Sequence, residues 1–206
     1  MDEDIQALLP AAARGPIASI GKVLGNRTTL YKYLNPRLFT VLTASPTRSM
    51  CGIYVVDSMK GTLVYHAEVR SSLRGCEVKT ALTENWLVYH YYESDGTAGG
   101  AKGYRMVSVE FYEGQKGDEK TKRYAFTSFF FSSFSYNQLY SLEISAFSNA
   151  TTNFMKYEQA YVFPHAITAL APTSTKFGIT TKDLIGLFVS MLNPLRTKVV
   201  LIRDFS

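Results

Sequence analysis

The sequence is poor in the residues that build catalytic and metal sites. Its 206 residues include only three His (His66, His90 and His165), two Cys (Cys51 and Cys76) and one Trp. No two His have the i, i+4 or short-loop spacing of a metal pair, and no Gly-x-Ser-x-Gly elbow occurs. The sequence therefore predicts no catalytic, cofactor-binding or metal-ligating residue. His66 and His90 are instead predicted to be cross-strand neighbours with hydrogen-bonded ring nitrogens.

Positive charge is in slight excess but is not concentrated. Lys and Arg number 22 against 17 Asp and Glu, which gives a formal net charge of +5. The densest basic group, Lys120, Lys122 and Arg123, has Asp118 and Glu119 beside it. Nucleic-acid binding requires clustered cations that displace counterions from phosphates. We therefore predict a solvated basic surface and no nucleic-acid partner.

Signals for passage into or across a membrane are scarce too. The first four residues, Met-Asp-Glu-Asp, are acidic, whereas a secretory leader opens basic and continues into an apolar run. The aromatic stretch 126–136 is interrupted by one Thr and four Ser, so it falls short of the ~18 apolar residues of a membrane helix. From these features alone we expect a soluble chain without a leader or a membrane span.

The two cysteines leave their pairing open. Cys51 and Cys76 could form a disulfide in an oxidising compartment. Two Cys in a chain of 206 residues fit two free buried thiols equally well. The sequence alone does not choose between these alternatives.

Aromatic and β-branched residues, by contrast, are abundant and occur in short runs. There are 14 Tyr and 13 Phe, and such residues favour strands. Two apolar runs, 51–56 and 62–69, flank a turn that Asp57 opens with its side chain and in which Gly61 supplies a positive φ. This pattern predicts a β-hairpin. Further strands are predicted at 38–44, 77–82, 86–92, 104–112, 161–163, 166–171 and 183–189.

The spacing of these strands indicates the architecture. Short strands with turn signals every ~8–12 residues are typical of a sandwich, barrel or propeller. The Asp-x-x-x-Gly hairpin within a consecutive meander favours propeller blades of ~40–45 residues, and a closed ring needs at least about four of them. Residues 37–113 supply about a blade and a half. We predict an all-β chain that forms part of a quinoprotein-like β-propeller and does not close a ring alone.

The other segments are predicted from their composition. Residues 1–20 are interpreted as a linker or tail, with a helical turn or two over 4–14 that Gly15-Pro16 would end. Residues 94–102 are rich in Gly and small polar residues and are predicted to be a flexible loop. The remaining chain is divided into propeller blades at 21–113, an irregular insertion at 114–156, further propeller strands at 157–190 and a divergent tail at 191–206.

Several phrases, taken in order, resemble a known family. Three of them are 31–36 (Tyr-Lys-Tyr-Leu-Asn-Pro), 161–165 (Tyr-Val-Phe-Pro-His) and 177–185 (Phe-Gly-Ile-Thr-Thr-Lys-Asp-Leu-Ile). Two more are 23–28 (Val-Leu-Gly-Asn-Arg-Thr) and 83–89 (Thr-Glu-Asn-Trp-Leu-Val-Tyr). Together they are similar to the C-terminal part of the large lumenal subunit, subunit 1, of the endoplasmic-reticulum membrane protein complex.

The resemblance implies a non-enzymatic scaffold on the lumenal side of the endoplasmic-reticulum membrane. Its partners would be the other subunits of the complex and transmembrane client proteins, whose insertion and folding the complex supports. No cofactor and no small-molecule substrate is implied. Two alternatives stay open. One is a quinoprotein-like propeller enzyme, which shares the Asp-x-x-x-Gly hairpin but usually carries several Trp. The other is a truncated product without function.

Two stretches of the sequence depart from the family, and two Asn-x-Thr sequons become candidate glycosylation sites if the resemblance holds. Residues 124–147 have no counterpart there, and their Phe- and Ser-rich composition fits either a translated intron or a genuine loop or edge strand. The similarity also falters after 185, as expected of a fragment. Asn26 and Asn149 each begin an Asn-x-Thr sequon, so both are candidate glycosylation sites if the chain is lumenal.

Overall fold

Antiparallel β-strands form all the regular structure that is described. The computed structural model describes residues 3–11, 16–45, 47–70, 76–93, 102–113, 154–177, 183–189 and 197–203. Within these ranges, thirteen strands form three larger sheets and one two-stranded hairpin. The prediction of an all-β chain is therefore confirmed.

The first sheet is built around the hairpin that the sequence predicts. Its four strands, in the order β1–β4–β5–β6, are Asp4–Pro10, Leu38–Ser45, Met50–Asp57 and Thr62–Arg70. Between β5 and β6, the Gly61 amide donates to the Asp57 carbonyl at 2.8 Å, and Asp57 Oδ1 accepts from the Met59 amide at 2.9 Å. Gly61 has a φ of +63°, which glycine adopts without steric cost. The hairpin prediction is confirmed.

The interpretation of residues 1–20 as a tail with helical turns is wrong for β1. This strand pairs antiparallel with β4, from Asp4 opposite Ala44 to Pro10 opposite Phe39. Ala7 and Leu9 pack against the buried core of the sheet. The edge of β4 offers unpaired backbone groups, and pairing with them outweighs the helix propensity of this short segment.

The second sheet is a meander of four strands with short turns where the chain is described. β7 to β10 are Lys79–Thr83, Trp86–Glu93, Gly103–Glu113 and Phe154–Phe163, in the order β10–β9–β8–β7. The strands predicted at 77–82, 86–92 and 104–112 are confirmed with small shifts at their ends. β10 pairs with β9 over ten positions, so residues 154–156 belong to this strand and not to an insertion.

The third sheet contains three strands in the order β11–β12–β13. They are Ile167–Pro172, Asp183–Val189 and Thr197–Arg203. β13 pairs with β12 along its whole length, so the predicted tail is wrong for these residues. The strand was not predicted, because these residues were interpreted as a divergent tail beyond the end of the family similarity. In the structure, the edge of β12 supplies seven pairing positions for it.

A small hairpin lies between β1 and β4 in the chain. Its strands, β2 (Gly21–Val23) and β3 (Thr29–Tyr31), were not predicted, because three residues are too few to show a period. Beyond β3, Lys32 forms an isolated bridge with Tyr112 of β9. In the chain, the hairpin thus lies between two strands of the first sheet, but in the structure it is attached to the second sheet.

The second sheet lies between the other two, which explains why β8 is buried on both faces. Leu87, Tyr89 and Tyr91 of β8 belong to a core that they share with the first sheet. Trp86 and Val88, on the opposite face, belong to a smaller core with Ile167 and Leu184 of the third sheet. Both faces of β8 are therefore buried.

Several predicted segments fall outside the described residues. They are most of the loop at 94–102, most of the insertion at 114–156 with the stretch at 124–147, and parts of the tail at 191–206. Those predictions stay predictions. Where the chain is described, the hairpins and meanders alone account for three stacked sheets.

Candidate interaction surfaces

The histidines occupy structural positions in two different sheets. His90 Nε2 lies 3.2 Å from the carbonyl oxygen of His165, and the His90 ring stacks on Tyr104 with centroids 5.3 Å apart. Burial lowers the pKa of His90 to about 4, although the His165 carbonyl acts in the opposite direction. His66 stacks on Tyr54 at 4.4 Å in the first sheet. His66 and His90 are therefore not cross-strand neighbours, and that prediction is wrong.

No metal-binding cluster or membrane helix is found in the described ranges. No group of three or more His, Cys, Asp or Glu there could hold a metal ion. None of the described segments forms a helix long and apolar enough to cross a membrane.

The cysteines form a disulfide between the first sheet and the start of the second. Cys51 lies in β5, Cys76 lies three residues before β7, and their sulfur atoms are 2.01 Å apart. Cys51 is buried within the core between these sheets. Of the two alternatives left open by the sequence, the structure has the disulfide.

The phrase at 31–36 joins the first and second sheets. Lys32 Nζ donates to Glu84 Oε2 at 2.8 Å, in the turn between β7 and β8. Asn35 Nδ2 donates to Asp57 Oδ2 at 2.8 Å, in the turn between β5 and β6. Between them, the Tyr33 amide donates to the Phe111 carbonyl at 3.0 Å. The phrase therefore holds a turn of one sheet against a turn of the next.

The phrase at 161–165 performs the same task between the second and third sheets. Phe163 packs at the edge of the smaller core and meets the His90 ring edge-to-face at 5.9 Å. His165 stacks on Phe188 of β12, with centroids 4.6 Å apart and planes within 3°. Most of the phrase at 177–185 lies outside the described residues, but Leu184 is fully buried in the same core. The phrases thus mark contacts between sheets.

The outer face of the third sheet is an exposed apolar surface. Cross-strand pairing aligns Ala171, Ile185 and Leu201 in one row, and the next row contains Ala169, Leu187 and Val199. Val199 and Leu201 are 65% and 47% exposed, whereas Leu184 on the opposite face is fully buried. We call these six residues the third-sheet face.

The first sheet also presents an outer face, and it is more polar. One row across it contains Leu8, Val41, Tyr54 and His66. Leu8 is 60% exposed. The Tyr54 hydroxyl donates to Glu3 Oε2 at 2.9 Å, and burial together with this carboxylate raises the pKa of Tyr54 to about 12. Both ends of the stack therefore expose the outer face of a sheet, which is apolar on the third sheet and more polar on the first.

The arrangement defines the class of protein. Each of the first two sheets has four antiparallel strands, and consecutive sheets pack face to face. β7 and β11, which begin consecutive meanders, lie against each other as the inner strands of neighbouring blades do. The sheets are therefore an arc of a β-propeller, with two complete blades and a third of three described strands, as the sequence predicted.

Comparison with known proteins identifies the family. Residues 1–191 match the family described as "ER membrane protein complex subunit 1, second beta-propeller". Proteins named ER membrane protein complex subunit 1 are similar to this chain in Schizosaccharomyces pombe (36% identity over 172 residues) and Xenopus laevis (35% over 176 residues). Each alignment covers 83% of this chain, but only 17% and 15% of the relative.

The chain belongs to the family of ER membrane protein complex subunit 1. A third relative of that name, from Gallus gallus, is 32% identical over 173 residues, which are 82% of this chain and 15% of the relative. The chain therefore spans about a sixth of the length of these relatives. The resemblance seen in the phrases is confirmed.

The two candidate glycosylation sites differ in what the structure describes. Asn26 lies in the exposed turn between β2 and β3. Asn149 lies outside the described residues. Sequence reasoning missed the third-sheet face altogether, because only the pairing of β13 with β12 aligns its outer rows.

Proposed function

We propose that this chain is a non-enzymatic scaffold module of the endoplasmic-reticulum membrane protein complex. Its relatives are named as a subunit of that complex. The observation that carries the proposal is the third-sheet face, an apolar surface at the end of a well-packed arc. The role of the module is to position other subunits of the complex and the transmembrane client proteins whose insertion and folding the complex supports.

We assign the third-sheet face to a further blade of the same propeller, contributed by the rest of the longer protein. A closed propeller needs at least about four blades, and three are described here. Alternating apolar rows of this kind already meet a neighbouring sheet on the opposite side of β12, where Leu184 and Phe188 are buried. Contiguous exposed apolar patches commonly mark such packing surfaces.

The disulfide supports a lumenal position for the module. Disulfides persist in the oxidising endoplasmic-reticulum lumen and are rare in the reducing cytosol. The Cys51–Cys76 bond joins two blades, so its formation bears on how they pack. We therefore place the module on the lumenal side of the membrane.

Co-isolation from membranes tests the proposal. The longer protein that contains this chain is tagged and recovered from detergent-solubilised membranes, and the other subunits of the complex are quantified. Val199→Asp places a carboxylate on the third-sheet face, where packing would desolvate it. Recovery of the subunits should fall by at least about tenfold. The matched control is Val23→Asp in the small hairpin, where Val23 is 73% exposed and Val199 is 65% exposed.

Two results would contradict the proposal. If the unmodified chain recovers no subunit, it is not a module of the complex, and the alternative of a product without function is favoured. If Val199→Asp and Val23→Asp lower the recovery equally, the third-sheet face is not where the missing blade packs.

A further inference from the structure

The turn between β2 and β3 holds a sequon in a defined and exposed conformation. Thr28 donates twice to Asn26 Oδ1, from its backbone amide at 3.0 Å and from its hydroxyl at 2.6 Å. The backbone closes around the same residues, since the Leu24 amide donates to the Thr28 carbonyl at 2.8 Å. Arg27 completes the turn with a φ of +67°. The acceptor and the hydroxyl residue of the sequon are therefore held together.

The same geometry leaves the reactive atom of Asn26 accessible. Both hydrogen bonds use the side-chain oxygen, so they leave the nitrogen, Nδ2, on the other branch of the amide. Asn26, Arg27 and Thr28 are all exposed. The base of the hairpin is anchored, because Leu30 is buried and Lys32 is bridged to the second sheet. A bulky group on Asn26 would extend into solvent without displacing the core.

We propose that Asn26 is an N-glycosylation site of this protein. The donor is an oligosaccharide linked to a lipid diphosphate. A bond forms between Asn26 Nδ2 and C1 of the first sugar, and the bond from C1 to the diphosphate oxygen breaks. The lipid diphosphate leaves with the electron pair of that bond, and it takes up the proton that Nδ2 loses. The proposal rests on the lumenal position proposed above, because the donor is used there.

Glycosylation of Asn26 restricts how the module docks. The exposed apolar residues Val23 and Tyr31 lie on the same small hairpin as the sequon. A glycan in the adjoining turn would keep this region in solvent. Packing against further blades is then left to the outer faces of the first and third sheets.

Mass spectrometry of the tryptic peptides tests the proposal on the full chain directed to the lumen. All variants carry Asn149→Gln, so that Asn26 is the sequon under study. A peptide N-glycosidase converts a glycosylated Asn to Asp and thereby marks the site. We expect one glycan at Asn26, complete loss in Asn26→Gln and Thr28→Ala, and retention in Thr28→Ser, which keeps the hydroxyl.

A control acceptor separates the two proposals. Ser58→Asn combined with Lys60→Thr introduces a sequon in the exposed turn between β5 and β6 without changing Gly61. If this control is glycosylated and Asn26 is not, the chain has met the donor, so the Asn26 proposal is overturned while the proposed scaffold function is unaffected. If both are glycosylated, the Asn26 proposal is supported.

Discussion

The two interfaces between blades are stabilised in different ways. The interface of the first and second blades contains the fully buried Ile53, Leu87 and Phe111 and is crossed by a disulfide. The interface of the second and third blades has a smaller apolar core, and aromatic rings around His90 extend it. Apolar area dominates the first, whereas the second depends on a buried titratable ring. The two should therefore respond differently to truncation, reduction and pH.

The largest expected difference comes from removing one leucine from each interface. Leu87 and Leu184 are both fully buried, but Leu87 belongs to the larger core. Leu87→Ala should lower the free energy of unfolding by about 4 kcal/mol, and Leu184→Ala by about 2.5 kcal/mol, because a smaller core can collapse around the cavity. Urea unfolding followed by circular dichroism measures both. Equal losses would mean that the interfaces are packed equally well.

Loss of the disulfide should destabilise the first interface alone. The bond closes a loop with a sequence separation of 25. Replacing both cysteines by Ala should therefore cost about 3 kcal/mol, chiefly through the entropy gained by the unfolded chain. Reduction should lower the urea midpoint of the unmodified chain to the midpoint of the double variant. The midpoint of the double variant should not change when reductant is added. A midpoint indifferent to reductant in the unmodified chain would show that Cys51 and Cys76 are not paired.

Acid should weaken the second interface. Burial lowers the pKa of His90 from 6.5 to about 4, so the unfolded chain takes up a proton in a pH range where the folded chain does not. The stability from neutral His90 is complete above about pH 6.5 and is lost as the pH falls toward 4, by about 2 kcal/mol between pH 7 and 5. Comparing unfolding across this range with that of His90→Gln isolates the contribution. If the free energy of unfolding falls with pH equally in both proteins, His90 is not the source of the pH dependence.

The smallest expected effect concerns a hydrogen bond inside the first interface. The hydroxyls of Tyr65 and Tyr89 are 3.1 Å apart and buried, and burial raises the pKa of both groups, so they stay protonated. Tyr65→Phe should cost about 1 kcal/mol, because Tyr89 keeps a contact with Glu158 Oε1 at 3.4 Å. Urea unfolding at pH 7 measures the loss. A loss as large as that of Leu87→Ala would contradict the view that apolar area dominates.

Much of the first two blades could be predicted because their signals are local. Asp57 and Gly61 define a turn by their own conformational preferences, and Trp86 to Glu93 alternates between two faces. β8 is buried on both faces only because another sheet packs on each of them. The alternation of residues along one strand cannot reveal that second sheet. The count of a blade and a half over 37–113 agrees with the six strands found there. β1 and most of β10, which complete the two blades, lie outside that range and carry no local signal of their own.

The candidate surfaces also divide into one that the sequence revealed and one that only the structure revealed. Asn26 was identified from the sequence, because a sequon is a short contiguous pattern. The third-sheet face was not, because its six residues come from three strands that meet only through pairing. The phrases at 31–36 and 161–165 identified the family, but their role in joining blades appears only in the contacts of Lys32, Asn35 and His165.

The sequence by itself determined the strand character, the β5–β6 hairpin, the family and the sequons, because each depends on neighbouring residues. Tertiary structure alone decided that β1 and β13 complete sheets, that Cys51 meets Cys76, and which faces remain open. The physical reason is that strand pairing and burial are set by residues far apart in the chain. A segment such as β1, whose composition does not favour a strand, is fixed by the backbone edge it meets.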